Sequence, residues 1–175
     1  MDKSAVIGEL KKANERYVET GRYRGKVSSL LRKKCAAGQH PKAVILTCSD
    51  ARVIPEAIFG AGTGELFVIR TAGNTVGKTE LGSIEYAVSH LGVRTVMILG
   101  HTCCGAVSAA LAGHFEGAAG YITKRISKAI GRESDPTAAA LENARAWAKT
   151  VRAEIDAEVF PALYDIASGK VTFDE

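Results

Sequence analysis

The chain has 175 residues, 46% hydrophobic and 24% charged, with a formal net charge of +4. That length suffices to bury a real core, and the whole of 1–175 reads as one domain of a soluble globular protein. No apolar run approaches the roughly 20 residues that a membrane span needs. The start, Met1-Asp2-Lys3-Ser4, leads into a helical pattern rather than a signal peptide, so a cytoplasmic location is expected. The four cysteines do not form a secreted disulfide framework; in a reducing compartment they read as metal ligands or catalytic thiols. A basic cluster, Arg22, Arg24, Lys26, Arg32, Lys33 and Lys34, comes without a nucleic-acid motif or interleaved aromatics. It reads as a solvated face, and neither nucleic acid nor a membrane is expected as a partner.

In chain order, Val6, Ile7, Leu10, Ala13, Tyr17 and Val18 keep helical spacing over 4–19, and Gly21 is a stop. A second helix is expected over 28–37. Pro41 opens a strand over 42–47, followed by a short helix at 55–59 and a turn marked by Gly60, Gly62 and Gly64. A strand at 65–70 leads into a loop at 71–74. A helix over 79–91, a strand over 94–99 and a helix over 105–112 come next. Another helix spans 120–130. Asp135-Pro136 is an N-cap followed by proline at the first helical position, opening an alanine-rich helix to about 156. The end, 159–165 and 170–173 around Ser168-Gly169, is a hairpin pattern in which Pro161 points to an edge or a bulge. Alternating strands and helices predict an α/β fold with a parallel sheet.

Two stretches carry the chemistry. Cys48-Ser49-Asp50-Ala51-Arg52-Val53 follows the apolar run Ala43-Val44-Ile45-Leu46, and Gly100-His101-Thr102-Cys103-Cys104-Gly105 follows Val96-Met97-Ile98-Leu99. If both runs are parallel strands of one sheet, their carboxyl ends share the edge where open α/β sheets bind ligands. Cys48, His101 and Cys104 then form a three-ligand set suited to zinc, with one coordination position left over. Cys103 offers a possible fourth ligand, which would close the site into a structural one. Asp50 is placed to accept a hydrogen bond at the open position. Arg52 can hold it bidentately and keep it ionised. The chemistry implied is attack of hydroxide on a small carbonyl-like carbon.

These two motifs together resemble the β-class carbonic anhydrases. The likeness extends over nearly the whole chain. It includes Asn14-Glu15-Arg16-Tyr17, Gly38-Gln39-His40-Pro41, Gly64 to Arg70, Ala72-Gly73-Asn74, and the closing Ala162-Leu163-Tyr164-Asp165 with Gly169-Lys170-Val171. The resemblance implies a central, mostly parallel sheet flanked by helices, with a C-terminal antiparallel hairpin strand and a projecting N-terminal helix that packs on a neighbour. It implies Zn²⁺ on Cys48, His101 and Cys104, with Asp50 and Arg52 as the catalytic dyad. Gln39, Phe67, Tyr86 and Gly105 would shape a carbon dioxide and bicarbonate pocket at the interface of a homodimer or higher oligomer. The expected activity is that of a zinc lyase, reversible hydration of carbon dioxide to bicarbonate and a proton by a zinc-bound hydroxide. Hydrolysis of carbon disulfide or carbonyl sulfide on the same site, or non-catalytic zinc binding, are the alternatives. Some relatives let the dyad aspartate close the fourth position and carry a tryptophan three residues before the first cysteine. Here that residue is Ile45, so the open arrangement, Asp50 paired with Arg52, is expected.

Overall fold

The computed structural model describes residues 3–174. Strands β1 (Ala43–Cys48), β2 (Leu66–Thr71), β3 (Thr95–His101), β4 (Glu158–Tyr164) and β5 (Val171–Phe173) form one sheet in the order β2-β1-β3-β4-β5. The first four are parallel and β5 runs antiparallel to β4. The helices are α1 (Lys3–Thr20), α2 (Ser29–Cys35), α3 (Pro55–Ile58), α4 (Lys78–Leu91), α5 (Gly105–Leu111), α6 (Gly117–Ile130) and α7 (Pro136–Glu154).

The central strands are buried on both faces along their whole length, which is why β1 and β3 read as unbroken apolar runs rather than alternating ones. Successive side chains still point to opposite faces. Val44, Leu46, Val96 and Ile98 face Ile84 and Val88 of α4 and Trp147 and Val151 of α7. Ala43, Ile45, Met97 and Leu99 face the other way, toward Val6 and Leu10 of α1 and toward Ile58 and Phe59. Helix α7 starts where its cap predicts, with the Asp135 carboxylate accepting from the N–H groups of Thr137 and Ala138. It ends two residues early because Ile155 is already extended.

Three expectations change. The N-terminal helix does not project: it lies on the chain's own sheet, with Leu10 fully buried. The buried Asn14 clamps it to the closing hairpin, donating to Gly169 O (2.9 Å) and accepting from Val171 N–H (2.8 Å). Pro161 sits in an interior strand, between β3 and β5. Its carbonyl accepts from Asp174 N–H, one residue past the end of β5, so its missing donor costs one bond where that ladder already ends. Finally, 71–74 is not a plain loop. Ala72–Asn74 is a tight 3₁₀ turn with Gly73 (φ 62°) and Asn74 (φ 44°) in left-handed conformation.

Candidate metal centre

Register brings the two stretches together. Thr47 of β1 pairs with Leu99 of β3, so Cys48 leaves the sheet beside Gly100 and His101. Cys104 follows one short turn later as the N-cap of α5. On the other side, Cys48 pairs with Thr71, which delivers the Gly73 turn to the same edge. The two Cys sulfurs and a ring nitrogen of His101 lie within 4.8 Å of one another, and all three residues are buried. Two S–Zn bonds of about 2.3 Å at the tetrahedral angle put the sulfurs about 3.8 Å apart, so small side-chain movements suffice to close on an ion. His101 Nδ1 lies 2.9 Å from Thr102 O, which leaves Nε2 as the inward atom. That nitrogen is buried without a hydrogen-bond partner among the described residues. A buried imidazole nitrogen facing two thiols is a costly arrangement unless something electrophilic occupies the space. The donor set therefore fits zinc.

Charge within the cluster is uneven. A hydrogen bond with Cys104 holds the Cys48 thiol well below its ordinary value, against the opposing effect of burial. The same bond, reinforced by burial, pushes Cys104 up.

Asp50 and Arg52 stand over this cluster. Arg52 is bidentate to the carboxylate, Nε to Oδ1 at 2.9 Å and Nη2 to Oδ2 at 2.7 Å, and Nη2 also donates to Cys103 O at 3.0 Å. These Arg52 hydrogen bonds hold the Asp50 carboxyl well below the usual carboxylate range. Asp50 Oδ2 lies 3.9 Å from His101 Nε2. Both carboxylate oxygens are turned to Arg52, the pairing expected of Asp50. Arg70 ties the loop down from β2, donating to Cys48 O (3.2 Å) and Asp50 O (2.6 Å). Reading the sequence missed this role for Arg70, although its place opposite Thr47 in the β1–β2 register signals it. Thr102, buried between the ligands, donates to Asp165 Oδ2 and accepts from Ile166 N–H, which anchors the second stretch to the turn after β4. Cys103 lies exposed beside the cluster at φ 56°, outside the ligand set.

The remaining site residues do not gather here. Gly105 is adjacent, as the first residue of α5, and a Cβ on it would meet no atom within 4 Å. Phe67 lies near the amino end of β2, with its ring centroid 6.4 Å from that of Tyr86, which is 48% exposed on α4. Gln39 is exposed in the loop ahead of β1. Cys48 ends β1, so the length of that strand separates the loop from it, about 17 Å from Ala43 to Cys48. Of the basic cluster, Arg32, Lys33 and Lys34 form the last turn of α2, a helix with no buried residue, as a solvated face requires. Arg22 and Arg24 instead join Lys12, Arg16 and Lys42, with Glu9 and Glu65, around a cleft of about 360 Å³ beside α1 that neither Cys48 nor Cys104 lines.

Sheet and cluster define an α/β protein in which a Cys-His-Cys set that could hold a metal ion lies at the carboxyl edge of parallel strands. A family profile, Carbonic anhydrase, matches residues 43–168. The chain belongs to the carbonic anhydrase family, and its fold is that of the β class. Carbonic anhydrase 2 of Mycobacterium tuberculosis is 48% identical over 115 residues, 65% of this chain and 56% of that protein. A carbonic anhydrase of Pseudomonas aeruginosa is 48% identical over 87 residues, 46% of this chain and 40% of that one. The chain thus matches about half the length of these curated relatives. Among solved structures, one of two tetrameric β-carbonic anhydrases from Sordaria macrospora superposes with a TM-score of 0.70 at 27% identity, covering 97% of this chain and 94% of that one. The Coccomyxa β-carbonic anhydrase in complex with acetazolamide shares the fold with a TM-score of 0.74 at 24% identity, covering 97% and 84%.

Proposed function

We propose that the protein is a zinc-dependent carbonic anhydrase that interconverts carbon dioxide and bicarbonate. The observation that carries this reading is the unpartnered, buried His101 Nε2 facing Cys48 and Cys104 beneath an aspartate held by arginine. Cys48, His101 and Cys104 would hold the metal. Zinc, when bound, supplies Lewis acidity and brings a water's deprotonation toward neutral pH.

The chain's own residues then decide orientation. Asp50, kept ionised by Arg52, only accepts hydrogen bonds, so it fixes where a proton on the attacking oxygen points and turns a lone pair toward the substrate. Arg52 acts through Asp50, and its bond to Cys103 O restrains the guanidinium. The open space beside Gly105 leaves room for a small, flat substrate.

Gln39, Phe67 and Tyr86 serve the pocket of a second copy. Within one chain Gln39 stands at the amino end of the strand whose carboxyl end bears Cys48, so it cannot reach its own metal. An isologous pairing along the exposed β2 edge would carry it, with Phe67 and Tyr86, to the partner's site. The working species is therefore a homodimer or a larger assembly of single-domain chains. Four free cysteines suit a reducing compartment, the cytoplasm.

Stopped-flow hydration of carbon dioxide by zinc-loaded protein tests the reading, with carbonyl sulfide and carbon disulfide run in parallel. Hydration of carbon dioxide well above the buffer rate is expected. Loaded protein that turns over only the sulfur substrates, or none of the three, would remove the assignment.

A further inference from the structure

Helix α7 contributes no ligand, yet it carries a polar pair aimed at the metal edge. Asn143 is fully buried, and a buried carboxamide is costly unless every group is used. Its Nδ2 donates to Gly73 O at 2.8 Å and lies 3.4 Å from Asn74 Oδ1. Its Oδ1 accepts from Trp147 Nε1, one turn further along α7, at 2.8 Å. An indole N–H can only donate, so Trp147 settles which end of the Asn143 amide faces Gly73. The indole is itself held by Arg125, whose guanidinium lies 4.8 Å from the ring centroid and also donates to Val76 O.

Gly73 is the residue this arrangement grips. Its N–H donates to Cys48 Sγ at 3.3 Å. At φ 62° it holds a conformation that glycine tolerates best, and a Cβ there would lie 2.5 Å from Ile126 Cδ1 and 3.1 Å from Ala106 Cβ. The N–H and C=O of Gly73 flank one Cα. Pinning the carbonyl from α7 therefore fixes the orientation in which the N–H meets the sulfur.

We infer that Asn143, with Trp147 behind it, is a positioning residue for the metal centre, setting the N–H···S bond to Cys48 through Gly73. An N–H donated to a thiolate draws charge from the sulfur and fixes the direction of its lone pairs, so the relay tunes how the ligand binds its metal. This rests on the zinc reading of the cluster.

The test compares zinc affinity by competition with a chromophoric chelator, and the thiolate-to-metal charge-transfer band of Co²⁺-loaded protein. Asn143→Leu keeps the bulk and removes the amide; Trp147→Phe keeps the ring and lets the amide turn. Val151→Ala, buried elsewhere on α7, reports general loss of packing. Zinc affinity should fall about 10- to 100-fold in Asn143→Leu, the range for ligand-supporting groups, with a displaced charge-transfer band. Trp147→Phe should shift both in the same direction by less, and it decides alone if Asn143→Leu does not fold. Val151→Ala should lower the melting temperature and move neither. Folded variants with wild-type affinity and band would overturn the relay, as would a Val151→Ala effect equal to that of Asn143→Leu. Wild-type protein that binds neither zinc nor cobalt would instead overturn the metal reading itself.

Discussion

The carboxyl edge of β1 and β3 and the outer edge of β2 are built to opposite standards. At the first, Cys48, His101 and Cys104 are all buried, and the loops that carry them are tied down by Arg70, Thr102 and Gly73. At the second, every residue of β2 is at least partly exposed, and Tyr86, beside the partly buried Phe67, is half open to solvent. Ligand atoms must be held within fractions of an ångström, and only a packed interior does that. A strand edge with aromatic neighbours is unfinished in one chain and suits a second copy. One chain therefore brings together all three residues of the Cys-His-Cys set, whereas the substrate pocket proposed above draws on a second copy.

Substitutions separate the two regions. Cys48→Ser or Cys104→Ser should abolish zinc binding, taking metal content from about one per chain to near zero by elemental analysis, because two remaining ligands cannot close the site. Full zinc retention by both would remove the first half of the comparison. Asp50→Asn should retain zinc and lower carbon dioxide hydration by roughly 10²-fold or more, the scale of groups that orient a proton. Arg52→Ala should follow it, since Asp50 would lose its anchor; wild-type rates in either would reduce the dyad to a surface ion pair.

The outer edge should respond differently. Tyr86→Arg, on an exposed position of α4, should change chain stability by no more than about 0.5 kcal/mol and leave zinc in place. Light scattering should nonetheless show a smaller assembly and kinetics a reduced kcat/KM. An unchanged oligomer with unchanged kinetics would separate Tyr86 from the pocket.

The smallest effect concerns acid. Asp50, Asp165 and Asp174 all have carboxyls lowered by hydrogen bonds, from Arg52, Ser168 and Arg145 respectively. A lowered folded-state value means the stabilisation is present above the unfolded value, near 4, and is lost as pH falls through the folded value. Stability of the metal-free protein should thus decline below about pH 4. Asp50→Asn should make that decline shallower. An equal slope in the variant would show that the Asp50–Arg52 pair adds nothing to folding.

The gathering of Cys48, His101 and Cys104 was legible in the sequence because both stretches follow unbroken apolar runs, and parallel strands place such ends together. The Asp50–Arg52 pair was legible too, from two residues at the right spacing. What escaped were relations across the fold. The apolar stripe Val6, Leu10 announces that one face of α1 is covered, but a 3.6-residue period does not say by what, and here the chain's own sheet covers it. Pro161 looked like an edge residue because one dipeptide cannot reveal that β5 stops one residue short of it. Asn143 gave no local signal, since its partner at Gly73 is 70 residues away and forms only when α7 closes over the sheet.

X-ray absorption at the zinc edge of the purified wild-type protein tests the central claim most directly. The account predicts two sulfurs at about 2.3 Å, one imidazole nitrogen at about 2.0–2.1 Å and one further light atom. A shell of three sulfurs, placing Cys103 on the metal, or protein that purifies without zinc and binds none on addition, would contradict it.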